Sequence, residues 1–216
     1  MSESPARPEE TDPVLTGVSV AVGSAAVTMA ASALLARGPL AAFRDAGGAK
    51  LDVPLATALE WAFYAAHGVP LRVQTDGRWT LVTHAVDSPV LYAVPPATLV
   101  VGGYLVARLA DVDDLRAGAR AGAAVAVGYA ALAVGGLLVT RYGVDSSFAT
   151  VSVHPDAARA VLAGVLYPVA FGGAGGTLAA AATDRLPTPR RRRLERAGVV
   201  LLVALLAALL VGAAVR

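Results

Sequence analysis

A carboxylate, a phenol and an imidazole recur at Glu60, Tyr64 and His67, spaced i, i+4 and i+7 in the segment PLATALEWAFYAAHG. On a helix this spacing sets all three on one face. With Trp61 beside them they form a candidate patch that could bind a polar ligand or handle protons, since imidazole and carboxylate both exchange protons near neutrality when tuned. The same residue types suit a plainer task. Trp and Tyr anchor short helices at headgroup level, with the polar edge wetted. We expect the second use, because the segment is too short and too polar to span a bilayer and belongs in the interface or dips into a bundle.

Other chemistry-bearing residues are sparse. His67, His84 and His154 could ligate a metal, but no two share ligand spacing, so no metal site is expected. Asp111, Asp113 and Asp114, followed by Arg116, read as a solvated loop introducing a helix, without the EF-hand pattern. The glycine-rich run from Phe171 to Gly176 lacks the Lys-Ser/Thr of a phosphate loop and follows no predicted strand. Gly172, Gly173 and Gly176, with Pro168, therefore read as a packing face or hinge. Pro95-Pro96 should bend a helix and free carbonyls that need a neighbour. No nucleophile elbow, zinc-protease or kinase motif is present. We expect no enzyme, no catalytic residues and no cofactor.

These residues must be positioned by a membrane protein. Five charge-free apolar stretches, 14–36, 90–107, 121–140, 160–182 and 198–215, are each about the length that crosses a bilayer. Their freedom from charge argues against an ion-coupled carrier, which normally keeps an intramembrane ionisable group. Small residues recur at four-residue spacing, at Ser24, Thr28 and Ser32, at Gly118 and Gly122, and at Gly172 and Gly176. That spacing lets helices approach closely in lipid. The segment 54–68 reads as an amphipathic helix between Pro and Gly punctuation, and LRVQTDGRWTLVT as a hairpin turning at Asp76-Gly77. Together, 38–89 should form an outer cap.

Of 216 residues 56% are hydrophobic and 16% charged, too apolar for an ordinary soluble domain. There is no cysteine, hence no disulfide or thiolate chemistry. Lys50 is the single lysine among 18 basic residues, a bias that fits a GC-rich genome. Arg190, Arg191, Arg192 and Arg193 cluster between two spans, a topology and anionic-lipid signal rather than a nucleic-acid site. The cluster sets 183–197 in the cytoplasm, and alternation then sets the loop 108–120 inside, 37–89 and 141–159 outside, the N-terminus inside and the C-terminus outside. Residues 1–13, acidic and proline-containing without a signal-peptide pattern, read as a disordered tail ahead of one membrane domain, 14–216.

The stretch EWAFYAAHGV, with VPPATLVVGGYLVA, AGAAVAVGYAAL and AVLAGVLYPVAFGGAGG, resembles a family of haloarchaeal multi-pass membrane proteins of unknown function. The shared features are W-x-F-Y-x-A-H before the second span and Y-P-V-x-F-G in the fourth. The resemblance implies a halophilic archaeal source, carries no functional residues, and brings a transporter label that some members bear. The expected fold is an all-α five-span bundle capped by a short outer helix and a small β-hairpin. Of two functions the first is the expected one and the second its alternative. The first is a small-solute permease of the cell membrane with its pathway near Pro95-Pro96, Pro168 and Gly172–Gly176. The second is a non-catalytic scaffold or accessory subunit, possible as a homo-oligomer or with a membrane-protein partner. Bulky residues at Gly173 or Gly176 are expected to separate them, by blocking flux or by breaking assembly.

Overall fold

The computed structural model describes residues 13–35, 53–75, 77–82, 89–145 and 150–183. The fifth apolar stretch, the arginine cluster 190–193, the tail before Pro13, the loop 38–52, His84 and Asp87 lie outside the described residues. The helices are α1 (Pro13–Leu35), α2 (Leu55–Ala66), α3 (Pro89–Leu109), α4 (Leu115–Ala123), α5 (Val125–Val139), α6 (Ala157–Tyr167) and α7 (Gly173–Thr183), with a π-helical turn over Pro168–Gly172. The strands are β1 (Leu71–Thr75), β2 (Arg78–Val82), β3 (Tyr142–Asp145) and β4 (Thr150–Pro155).

Among the described residues four helical stretches are long and apolar enough to cross a membrane: Gly17–Leu35, Val90–Leu109, Leu115–Leu138 and Ala157–Ala182. Large apolar side chains point outward along them, including Val22, Val127, Leu132, Leu138, Leu162, Leu166 and Leu178. A belt of this kind suits contact with hydrocarbon rather than water. The interior instead mixes Ala, Gly, Thr and Tyr with Leu91, Leu99, Val106 and Val125.

Two boundaries differ from the sequence reading because a side chain caps the helix earlier than hydropathy suggests. The third span starts at Leu115, not 121: Asp114 accepts from the backbone N–H of Arg116 at 2.8 Å and of Ala117 at 3.2 Å. Arg116 and Arg120 are thus helical rather than part of a loop. The fourth starts at Ala157, where Asp156 accepts from Arg159 N–H at 3.0 Å. Both aspartates satisfy orphan donors of a first turn.

The glycine spacings explain how the rods touch. Gly118 and Gly122 of α4 meet Gly172 and Gly176 backbone to backbone. A Cβ on Gly118 would stand 2.6 Å from the Gly176 carbonyl oxygen, and one on Gly122 would stand 2.9 Å from Gly176 Cα. On the other side of the same rod, a Cβ on Gly175 would be 2.9 Å from the amide nitrogen of Tyr104 in α3. The π turn lies at the centre of this seam. Pro168 cannot donate to the helix, and the wider turn accommodates that loss while feeding Gly172 into contact with α4. Pro95 and Pro96, by contrast, sit inside a helix that stays continuous from Pro89 to Leu109.

The cap is larger than a hairpin. The β1–β2 hairpin forms in the expected register, Thr75 opposite Arg78, with Gly77 at φ +80°. However, β1 also pairs antiparallel with β4, and β4 with β3, giving a four-stranded sheet in the order β2-β1-β4-β3. The small-hairpin expectation is corrected accordingly. The sheet joins segments 71–82 and 142–155, so both connections expected on the outer side occupy one end of the bundle. Its inner face closes over Val53, Trp61, Leu71 and Val153.

An ion pair fastens sheet to rod: Arg72 donates to Asp156 Oδ2 at 2.7 Å while Asp156 also caps α6. The Arg159 amide, more than the Arg72 guanidinium, holds the Asp156 carboxyl below the usual carboxylate range. Asp156→Ala should cost roughly 0.5–2 kcal/mol, the usual loss for an N-cap, in a denaturant titration of the whole chain in micelles. Because the folded carboxyl is depressed, its contribution is present above the unfolded value of 3.8 and fades as pH falls below it.

Candidate functional site

The helix α2 forms where expected, but it does not lie with a wetted edge. It packs against α1 and α3, and its polar face turns into the bundle. Tyr64 is 1% exposed and His67 6%, while Leu55, expected on the apolar side, is 74% exposed. The physical reason is that Tyr64 and His67 find partners inside, so burial costs them no hydrogen bond.

Those partners are specific. Trp61 Nε1 donates to the Thr140 carbonyl at 3.2 Å, and its ring meets Tyr142 edge-on at 6.2 Å. The Tyr64 hydroxyl donates to the Ala133 carbonyl of α5. His67 Nδ1 lies 2.7 Å from the Phe63 carbonyl and Nε2 lies 2.8 Å from the Tyr129 hydroxyl. A carbonyl only accepts, so Nδ1 carries the proton. In the neutral ring Nε2 must then accept, and the Tyr129 O–H donates to it.

The polar run continues across the bundle. Tyr129 stands near Thr28 of α1, and Thr28 pairs with Thr98 of α3 at 2.7 Å. Each threonine also has a carbonyl of its own helix as an alternative acceptor, Ser24 for Thr28 and Val94 or Pro95 for Thr98. Four segments, the end of α2, α5, α1 and α3, are thus tied by one run of side chains.

Around His67 the rings of Phe63, Tyr167 and Tyr129 stand at 4.5, 5.2 and 5.7 Å. Burial holds the imidazole well below its ordinary range, to about 4, with the Phe63 carbonyl pulling weakly the other way. Glu60 sits half-buried beside α5, where a Cβ on Gly136 would be 2.6 Å from its Oε2 and 2.7 Å from the Tyr64 hydroxyl. Glycine at 136 makes the space for that carboxyl, and desolvation raises its pKa. Burial, and then the Glu60 charge, raise the Tyr64 phenol as well.

The residues singled out from the sequence therefore divide. Glu60, Trp61, Tyr64 and His67 gather at the cap, and Pro168 follows the Tyr167 that packs on His67. Pro95 and Pro96 lie one turn from Thr98, at the far end of the polar run. Gly172 and Gly176 belong to the glycine seam. Gly173 does not: a Cβ there meets only ordinary contacts, the nearest at 3.5 Å. Sequence reasoning missed Tyr129, Tyr167 and Thr98. Thr28 was visible in the Ser24-Thr28-Ser32 spacing, and a tyrosine within an otherwise apolar span was the available signal for Tyr129.

His154 stays on the sheet, its ring edge-on to Trp79 at 5.2 Å. Among the described residues no group of three His, Cys, Asp or Glu is placed to hold a metal. A groove of about 200 Å³ opens between α1 and α3, lined by Val20, Gly23, Ser24, Val27, Thr98, Gly102 and Leu105. Its walls are mostly apolar, and Ser24 and Thr98 supply its hydroxyls.

No curated protein and no solved structure matches the chain. A family of unknown function (DUF7978) matches residues 1–183, which takes in all four apolar rods, α2 and the sheet. The chain belongs to that family.

Proposed function

We propose that the protein is a non-catalytic structural subunit of the cell membrane, a tightly packed bundle that holds a four-stranded sheet at one membrane surface for assembly with another membrane protein or a second copy. The observation that supports this most is the glycine seam. Where a permease needs a passage, Gly118 and Gly122 meet Gly172 and Gly176 with no room even for a methyl group. The polar side chains in the interior are few and mostly bonded to backbone carbonyls or to each other, with the hydroxyls of Ser32 and Thr140 left unpartnered among the described residues. That leaves little to replace a solute's hydration. The permease reading would have to use the groove between α1 and α3, whose apolar walls favour an acyl chain over a polar solute. In the proposed arrangement the N-terminus is cytoplasmic, a halophilic archaeon is the source, and Arg190, Arg191, Arg192 and Arg193 rest on anionic lipid.

The seam also changes how the two readings are separated. Gly176 cannot take a bulky side chain without losing the fold, so Gly173 is the position at which passage is tested. Proteoliposomes of the purified chain should stay as tight to protons, sodium, chloride and small neutral solutes as empty vesicles of the same lipid. A protein-dependent flux that Gly173→Phe abolishes, with the bundle still folded, would overturn the proposal.

A further inference from the structure

The end of α2 is held in the bundle by a buried imidazole that is seated there in its neutral form. His67 donates from Nδ1 to the Phe63 carbonyl and accepts at Nε2 from Tyr129. A second proton, on Nε2, turns that acceptor into a donor facing a hydroxyl already oriented toward it. The Tyr129 proton must then turn to Thr28, and Thr28 and Thr98 must fall back on the carbonyls of Ser24, Val94 or Pro95. Among the described residues no carboxylate stands against the ring to compensate the new charge. α5 presents Tyr129, α6 presents Tyr167, and α2 itself presents Phe63 and Tyr64. Two carboxylates of the cap lie elsewhere. Glu60 lies against Gly136, and Asp156 is paired with Arg72.

We propose that His67 is a proton-operated latch for the cap: protonating it expels the C-terminal end of α2 from its seat between α5 and α6, loosening the cap while the glycine seam stays closed. The latch rests on the burial of the ring among Phe63, Tyr129 and Tyr167 and on the lack of a facing carboxylate among the described residues, and it operates whether or not a partner binds the sheet. The ring's folded value, about 4 against an ordinary 6.5, sets the window. A depressed histidine favours the seated state above 6.5. The seated state then loses ground about tenfold per pH unit until the folded value is reached, about 300-fold in all. Glu60 works in the opposite sense, because a raised carboxyl favours the seated state as pH falls. Asp156 acts only below 3.8.

The test is backbone hydrogen exchange of residues 55–68 in the full chain in lipid nanodiscs from pH 7 to pH 4, corrected for the intrinsic pH dependence of exchange. The opening constant should rise by up to about 300-fold in the native chain. It should change less than about threefold in His67→Gln, which can neither gain nor lose a proton. Glu60→Gln should keep or steepen the rise. An equal rise in His67→Gln, or a flat profile in the native chain, overturns the latch. Should His67→Gln fail to fold, the imidazole ¹⁵N shifts of the native chain decide. A neutral ring protonated at Nδ1 at pH 7, titrating well below 6.5, supports the latch, and an Nε2–H ring or an ordinary midpoint sinks it.

Discussion

Gly176→Val should cost the bundle about 3 kcal/mol or more, at or beyond the upper end of ordinary overpacking, and should leave little folded protein in detergent. The reason lies in what the new atoms would meet. A single Cβ at 176 would stand 2.8 Å from the Gly118 carbonyl carbon and 3.0 Å from Gly122 Cα, both backbone atoms that cannot rotate away. Relief requires α4 and α7 to separate, and that separation would also loosen α3 from α7, where Gly103 and Gly175 make matching contacts. Gly173→Ala is the control. Its Cβ would find ordinary contacts, and replacing a helical glycine should gain roughly 0.5–1 kcal/mol. Unfolding curves of the two variants and the parent chain in one detergent give the comparison. Equal stability for Gly176→Val and parent would mean that the seam is misplaced.

Trp61→Ala should release the cap at a cost of about 3–5 kcal/mol, the range for removing a large buried aromatic. Trp61 is 2% exposed and is the piece common to α2 and the sheet, packing with Val53, Leu71 and Val153 and meeting Tyr142 edge-on. Trp61→Phe keeps most of the apolar volume but loses the bond from Nε1 to the Thr140 carbonyl, and should cost about 1 kcal/mol for that bond plus whatever gap is left. The effect should be local. Limited proteolysis of Trp61→Ala is expected to cut within 68–82 while the four rods stay protected. Cleavage no faster than in the parent would show that the sheet holds without it.

The latch and the seam assign different roles to the two kinds of small or polar residue inside the rods. Glycines at 118, 122, 172 and 176 fix helix positions through backbone contact, which is insensitive to pH. Thr28, Thr98, Tyr129 and His67 link α1, α3, α5 and the end of α2 through polar contacts whose direction depends on one proton. Acid should therefore act on the cap first and leave the seam intact.

The rods could be read from the sequence because a charge-free stretch of about 20 apolar residues is a local property, and so is the Pro and Gly punctuation of α2. The β1–β2 turn was equally legible, since the positive φ at Gly77 is one that glycine adopts freely. The four-residue glycine spacing also announced close packing. Which glycines would meet, Gly118 and Gly122 against Gly172 and Gly176, depends on how rods separated by about 50 residues come together, and no local pattern contains that. The same holds for β3 and β4. The run 150–154 does alternate polar and apolar, but it is short, and nothing local tells that its partner is β1, far earlier in the chain.

By itself the sequence determined that charge-free helices carry this chain, that small residues recur at packing distance, and that Glu60, Tyr64 and His67 share a helical face. Only the tertiary structure decided which way that face turns. Local pattern favoured water, because polar side chains are solvated most cheaply there. The fold turned it inward because Ala133, Phe63 and Tyr129 supply partners for Tyr64 and His67, and the tyrosine that completes the set is remote in sequence.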